Sequence, residues 1–433
     1  MADRSQVAHV LRRAGFGPTA AEVDAAAAGD LRQLVTDLIT PTGLDLGAIA
    51  SPLPTATGDP FLLPENAQRT PEQQAQDQQT KQTQLDALAK AWLRRMAMAR
   101  NQLTEKMVFF WHGHWATSAE KVDSATLMRH QLETFRGFGR GYFPAFAKQM
   151  VRDPALIFWL DGQLNSRRAP NENLGRELME LFTLGIGAYQ EPDVKAAAKA
   201  LTGWTIDRTR ATSKFVPNRF FKGTKRLLSV SADFDANLLV DLLCTRQQHA
   251  PFLAARLWRR FGSTEQIPDS TRKAMVDAYA LTMETDAMLR AMFTDEKFMA
   301  SQGQLVKQPI EWIVGAVRQL GTMMPDDVLD LLDDMGQEPL RPPSVGGWPS
   351  GAAWLTTSLL QVRMYAASSL AAKLPTKTAA LLKGSTPSKL EALAHVLAID
   401  AWSDRTYKAL SAAAGKQQRL VTLALCSPEY TIT

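Results

Sequence analysis

The chain has 433 residues, 45% of them hydrophobic and 21% charged, with a formal net charge of +5. That is ordinary globular composition, long enough for one large domain or two moderate ones. Only two cysteines occur, Cys244 and Cys426, so a disulfide framework and a Cys-rich metal site are excluded, and both read as buried free thiols in apolar helical contexts.

The N-terminus, MADRSQVAHVLRRAGFG, has no apolar core region and no small-residue cleavage site, and no run of about 18 apolar residues follows anywhere. The expectation is a protein without a spanning helix, cytoplasmic by default, with an exported location left open. Lys and Arg are scattered among acids apart from short clusters such as LWRRF and NRFFKGTKR, which disfavours nucleic acid as a partner.

Along the chain, the spacing predicts a helix from Ser5 to Gly15, then another after Pro18 and Thr19. Residues 41–70 are rich in Pro, Gly and Thr and read as a loop excursion. The Gln-rich stretch after Pro71 reads as the solvated start of a helix whose later part carries Leu85, Leu88, Ala89, Trp92, Met96 and Met98 near helical spacing. An apolar helix over 102–111 runs into FFWHGHWATS. SAEKVDSATLMRHQLETFRGFG then reads as one helix ending near Gly137 or Gly139, and YFPAFAKQMVRDPALIFWLDG as a further one, with Pro154 opening its second part.

NENLGRELMELFTLGIG is predicted helical up to Gly185 and Gly187, and EPDVKAAAKALTGWT helical with Pro192 in its first turn. Residues 205–232 lack a clear period and read as an irregular segment, a short hairpin or an ordered loop. Helices resume from DANLLVDLLCTR onward, interrupted by the loop RPPSVGGWPSGAAWLT. Strand signals are nearly absent. The fold class is therefore mostly α: a single large irregular multi-helix domain over residues 1–433, with Pro/Gly-rich excursions and few or no strands.

Two stretches stand out chemically. His112 and His114 flank Gly113. If Gly113 ends the helix, both imidazoles can converge on one ion; if the helix continues, they point about 200° apart. Two histidines do not complete a zinc site, and the alternative is a ring packed on Trp111 or Trp115 with a hydrogen bond to a backbone carbonyl. In PNENLGRELMELFTLG, Asn173, Glu177 and Glu180 fall on one helical stripe beside Leu174, Leu178, Leu181 and Phe182. Glu177 and Glu180 can reach one ligand together; alternatively they form a solvated face with Arg176 paired to Glu180.

Asp161 can orient a histidine or merely close a helical turn. Trp204 can pack over a helix end at Gly203, and the glycines around Trp348 let the backbone approach a ligand or make a turn. His130 sits mid-helix, while His9, His249 and His395 lack convincing company. The serine-hydrolase elbow, the P-loop, the Rossmann glycine fingerprint, His-Glu-x-x-His and Cys-x-x-Cys are all missing.

Taken in order, HVLRRAGFGPTAAEVD, LTEKMVFFWHGHWATSAEKV, DPALIFWLDGQLN, PNENLGRELMELFTLGIGAY, DVKAAAKALTGWT, KQPIEWIVGAVRQLG and PPSVGGWPSGAAW resemble the bacterial family called domain of unknown function 1800 (DUF1800). The resemblance runs from about His9 to Trp354. It implies a helix-rich protein, often encoded beside a sulfatase- or alkaline-phosphatase-like protein that would be its partner. It also matches Trp111, His112 and His114, and Asn171, Glu172, Asn173, Arg176, Glu177 and Glu180, to the family's pattern.

Three functional expectations follow. The first is a metal-dependent oxidoreductase or hydrolase. Its divalent Zn, Fe or Mn would be held by His112, His114, Glu177 and Glu180, with Glu177, Glu180 or Asp161 catalytic. Around them Trp111, Trp115, His130, Trp159, Asn171, Asn173, Arg176, Trp204 and Trp348 would form the outer shell or pocket. The second is a non-catalytic partner or scaffold of the phosphatase-like neighbour. The third is a binder of an acidic polymer through RFFKGTKR and nearby arginines.

Overall fold

The computed structural model describes residues 2–64 and 67–433. It is mostly α, with two small two-stranded antiparallel sheets among the described residues. Helix starts follow local chemistry. Asp3, Asp30, Asp153 and Asp235 accept backbone N–H groups at their N-caps, and Thr19–Glu22 and Thr70–Gln73 form capping boxes. The Gln-rich stretch is the exposed first half of one long helix, Pro71–Met98, whose second half buries Leu85, Leu88, Ala89, Trp92 and Met96.

Several expected elements are divided. The stretch after Ser118 is two helices, Ala119–Val122 and Ala125–Phe138. Asp123 turns left-handed (φ 51°) between them and Ser124 caps the second. The excursion at 41–70 holds a short helix, Leu46–Ile49, and a 3₁₀ turn, Pro60–Leu62; its residues 65 and 66 lie outside the described residues. The irregular segment forms two hairpins. In one, β1 (Trp204–Asp207) pairs with β2 (Thr212–Phe215); in the other, β3 (Lys225–Leu227) pairs with β4 (Val230–Ala232). Cys244 is buried as expected, but Cys426 is only half-buried.

One contiguous apolar cluster runs from Val10 to Tyr430. At its centre lies the Gln102–His114 helix, almost all of whose side chains are buried. That helix is apolar nearly all round, as a central core helix must be. Its two charged residues, Glu105 and Lys106, are buried as well. Glu105 accepts from Arg95 Nε at 3.0 Å and from Arg136 Nε and Nη2, each at 2.8 Å.

Two glycine contacts set the helix packing. Gly17 and Gly315 let the chain after the first helix lie against the Pro309–Leu320 helix, where a Cβ on Gly315 would fall 2.6 Å from Phe16 O. Gly347 (φ +83°) brings the 344–351 loop onto the end of the Gln102–His114 helix, where a Cβ would overlap the Gly113 carbonyl oxygen. No helix among the described residues is long and apolar enough to cross a membrane.

Candidate anion-binding cleft

The helix does not end at Gly113; it continues through His114. The two rings therefore diverge. His112 lies fully buried among Trp92, Trp348 and Phe135, with neither ring nitrogen hydrogen-bonded. Burial pushes its pKa down to about 3, so the ring is neutral. His114 packs between Phe110, Trp111 and Trp115, and its Nε2–H donates to Phe182 O at 3.1 Å.

The expected single helix at 173–184 is also modified. Asn173–Glu177 is α, and Leu178–Thr183 widens into a π turn. The helix ends here, and two of its last carbonyls take histidines: Phe182 O takes His114, and Thr183 O takes His249 Nδ1–H at 2.9 Å. His249 thus has clear company, since its Nε2 also accepts from Tyr279 Oη at 2.9 Å. Leu174, Leu178 and Phe182 are buried, while Leu181 is half-buried.

Glu177 and Glu180 are half-buried. Burial and the neighbouring Glu180 raise the Glu177 pKa. Glu180 is not paired to Arg176 but accepts from the Tyr189 hydroxyl. Arg176 forks onto Glu191 (2.8 and 3.1 Å) and reaches back to Glu172.

The remaining expected residues build turns and packing. Asp161 turns left-handed and accepts from Lys121 Nζ at 2.8 Å. Asn171 accepts from the Asn173 backbone N–H, and Asn173 itself is exposed. Trp111 Nε1 donates to Gly139 O at 2.7 Å, Trp115 packs on Phe182, and Trp204 lies under Arg152. Trp159 and His130 are half-buried on their helices.

Among the described residues no three His, Cys, Asp or Glu side chains come together as metal ligands. The donor set His112, His114, Glu177 and Glu180 therefore does not fit a Zn, Fe or Mn centre. One imidazole of the pair is sealed among indoles and the other is committed to a carbonyl.

The chemistry gathers elsewhere. The His249–Phe261 helix buries Leu253, Leu257, Trp258 and Phe261 on one side. Arg256, Arg259 and Arg260, spaced i, i+3 and i+4, share the other. They line three adjoining hollows. The outermost is an open cleft of about 1050 Å³ between this helix and the 344–351 loop, walled by Phe252, Ile267, Trp348 and Ser350. A middle hollow of about 90 Å³ shares Arg256, Arg259 and Trp348 with it. The innermost, about 30 Å³, shares Arg259, Arg260, Gln308 and Ser350 with the middle one.

The innermost hollow is lined by Arg12, Arg13, Lys106, Arg259, Arg260 and Lys307 against a single acid, Glu311. Glu311 receives Arg260 Nη2 at 2.9 Å and Lys106 Nζ. Burial alone would raise its carboxyl, but Arg260 and Lys106 outweigh that and hold it down to about 2. Burial brings Lys106 down to about 8, against the pull of Glu311. Arg13 donates to main-chain oxygens, among them Gly262 O at 2.9 Å, Ser301 O at 2.8 Å and Thr433 O at 2.6 Å, and burial lowers it to about 9. Arg259 meets Ser350 Oγ at 3.1 Å. Arg256 has no hydrogen bond or ion pair to any described residue; burial and Arg259 both lower its pKa.

The sequence displayed Arg259 and Arg260 in LWRRF, but not Arg256, whose lack of a partner depends on what the fold places opposite it. In RFFKGTKR, two of the four basic residues are engaged internally, while Lys222 and Arg226 are exposed. Arg219 donates to Gln163 O, and buried Lys225 pairs with Asp233 at 2.7 Å above Phe220 and Phe221.

A family model described as "Protein of unknown function (DUF1800)" matches residues 9–432. The chain belongs to the DUF1800 family. No curated protein and no solved structure matches it. The DUF1800 match covers both the His-Gly-His helix and the arginine cleft, including the KQPIEW stretch that supplies Lys307 and Glu311.

Proposed function

We propose that this protein binds a small organic anion in the cleft between the His249–Phe261 helix and the 344–351 loop. The observation that carries this reading is Arg256: a partly buried guanidinium without a described partner, facing an open cleft that Arg259 and Arg272 line against one acid, Glu265. A guanidinium in that position is a preorganised fork for a carboxylate, sulfate or phosphate group. The aromatic wall of Phe252 and Trp348 suits an organic body attached to that group.

The reading keeps the anionic ligand expected from the basic clusters but moves it from RFFKGTKR to Arg256 and Arg259. Each charge-assisted contact contributes about 1.5–3 kcal/mol. The test is titration calorimetry with citrate, inorganic phosphate and sulfate against the wild type and Arg256→Gln. Saturable binding that weakens about tenfold or more in the variant supports the reading. Equal heats for both proteins would sink it.

A further inference from the structure

The innermost hollow holds a second feature. Lys307 is buried, yet its ammonium nitrogen makes no hydrogen bond to any described residue and lies 3.5 Å from the centre of the Tyr430 ring. The backbone fixes it there: Lys307 N donates to Thr431 O at 2.9 Å, and Lys307 O accepts from Arg363 Nη2 at 3.3 Å. Lys307 directly precedes Gln308, the N-cap of the Pro309–Leu320 helix.

Four neighbouring helices add positive charge, against one acidic side chain. The Arg4–Ala14 helix brings Arg12 and Arg13, the Gln102–His114 helix Lys106, the His249–Phe261 helix Arg259 and Arg260, and the Thr357–Ala372 helix Arg363. That acid, Glu311, is already shared by Lys106 and Arg260. The face of Tyr430 attracts a cation weakly. Burying a charge costs more. Burial and the surrounding cations therefore win, and Lys307 lies well below the ordinary lysine range.

We infer that Lys307 is a reactive amine at the inner end of the cleft, which forms an imine with a small carbonyl compound bearing an anionic group. The inference rests on the anion-binding reading for its selectivity, but not for the reactivity of the amine. The hollow of about 30 Å³ has room for a water or the carbonyl end of a small molecule, with Arg259 and Arg260 beside it for the anionic end. In the step, the neutral amine lone pair of Lys307 adds to the carbonyl carbon. The amine loses both its protons and the carbonyl oxygen leaves as water, giving C=N–Lys307. A neutral, desolvated lysine beside other cations is the form of lysine suited to this addition.

Glyoxylate with sodium borohydride tests it on the full chain at neutral pH. Hydride reduces the imine and leaves a carboxymethyl group on the lysine, located by peptide mass spectrometry. Lys383 is exposed and serves as the reference amine. Labelling at Lys307 should exceed that at Lys383 by about tenfold or more, and should fall less than labelling at Lys383 between pH 9 and pH 7.

Acetaldehyde, which carries no charge, separates the two readings. Equal labelling of Lys307 by both aldehydes keeps the reactive amine and removes the anion selectivity. Labelling of Lys307 no greater than that of Lys383 by either aldehyde, or with the same fall at lower pH, overturns the inference and leaves citrate binding to decide the anion reading alone. Lys307→Arg should lose the label with an unchanged circular dichroism spectrum; the mapping of the wild type stands whether or not that variant folds.

Discussion

Glu105 and Lys106 are neighbours on one buried helix, and they serve two unlike charge clusters. Glu105 faces Arg95 and Arg136, which satisfy both its oxygens. Lys106 faces Glu311 and Arg260 in a hollow that also holds Arg12, Arg13, Arg259 and Lys307. The first cluster is closed, with every charge hydrogen-bonded and no cavity described beside it. The second has one acid among six basic groups and opens outward to Arg256. A closed cluster ties helices together. An open one with surplus charge carries an unfavourable self-energy that an anion would relieve.

The largest expected effect breaks the closed cluster. Glu105→Gln should cost about 3–5 kcal/mol in urea denaturation, because two arginines lose their buried carboxylate. Added phosphate or sulfate should restore none of it beyond what the wild type gains. Glu311→Gln should cost somewhat less, about 2–4 kcal/mol, since Lys106 also holds Gly15 O at 2.7 Å. Here the same anions should recover part of the loss by occupying the place of the carboxylate. Equal anion response in the two variants would erase the distinction between the clusters. In the wild type, the carboxyl of Glu311 is held down to about 2, so its stabilisation is complete above its unfolded value and is lost as pH falls from about 4.5 toward 2.

The next two effects sharpen the open cluster. Arg256→Gln should change stability by no more than about 0.5 kcal/mol, since no described partner is lost, while citrate affinity falls about tenfold. Anion affinity should also weaken with rising pH. Lys106 loses its charge near 8. It favours the bound anion only while protonated, so binding at pH 9.5 should be about three- to tenfold weaker than at pH 7. A flat profile over that range would mean that the anion sits outside the inner cations.

How much of this was legible in the sequence differs by region. The mostly α fold was readable because caps, first-turn prolines and apolar periodicity are local: Thr70 with Gln73, Pro71, and Leu85 to Met96 need nothing beyond their own helix. Two local irregularities escaped. The left-handed Asp123 splits a stretch with continuous helical spacing, and the π turn at Leu178–Thr183 is held by two histidines from distant helices. The site was less legible still. Whether His112 and His114 converge turned on Gly113, and the helix runs through it because the 344–351 loop packs there on Gly347. Arg259 and Arg260 were visible, but the scarcity of acids around them is a tertiary property.

His112 provides the smallest expected effect on ligand binding, and it limits the reasoning applied to Arg256. Both are polar groups without a described partner. Arg256 lines an open cleft, whereas His112 is sealed by Trp92, Trp348 and Phe135 and lines none of the hollows described above. If lack of a partner alone marked a binding group, His112→Phe should alter ligand or metal content. If access to space is also required, the substitution should leave both unchanged. Its effect on neutral stability should stay within about 1 kcal/mol, because lost strain from unpaired nitrogens offsets slight overpacking. The sign becomes clear in acid. The folded pKa of His112 is down from 6.5 to about 3, so protonation of the unfolded chain draws stability from the wild type as pH falls through that window. Phenylalanine takes up no proton in either state. Thermal melts from pH 7 to pH 4.5 should therefore show His112→Phe gaining on the wild type steadily. Parallel curves would mean that the ring already holds a proton in the fold, and so has a partner after all.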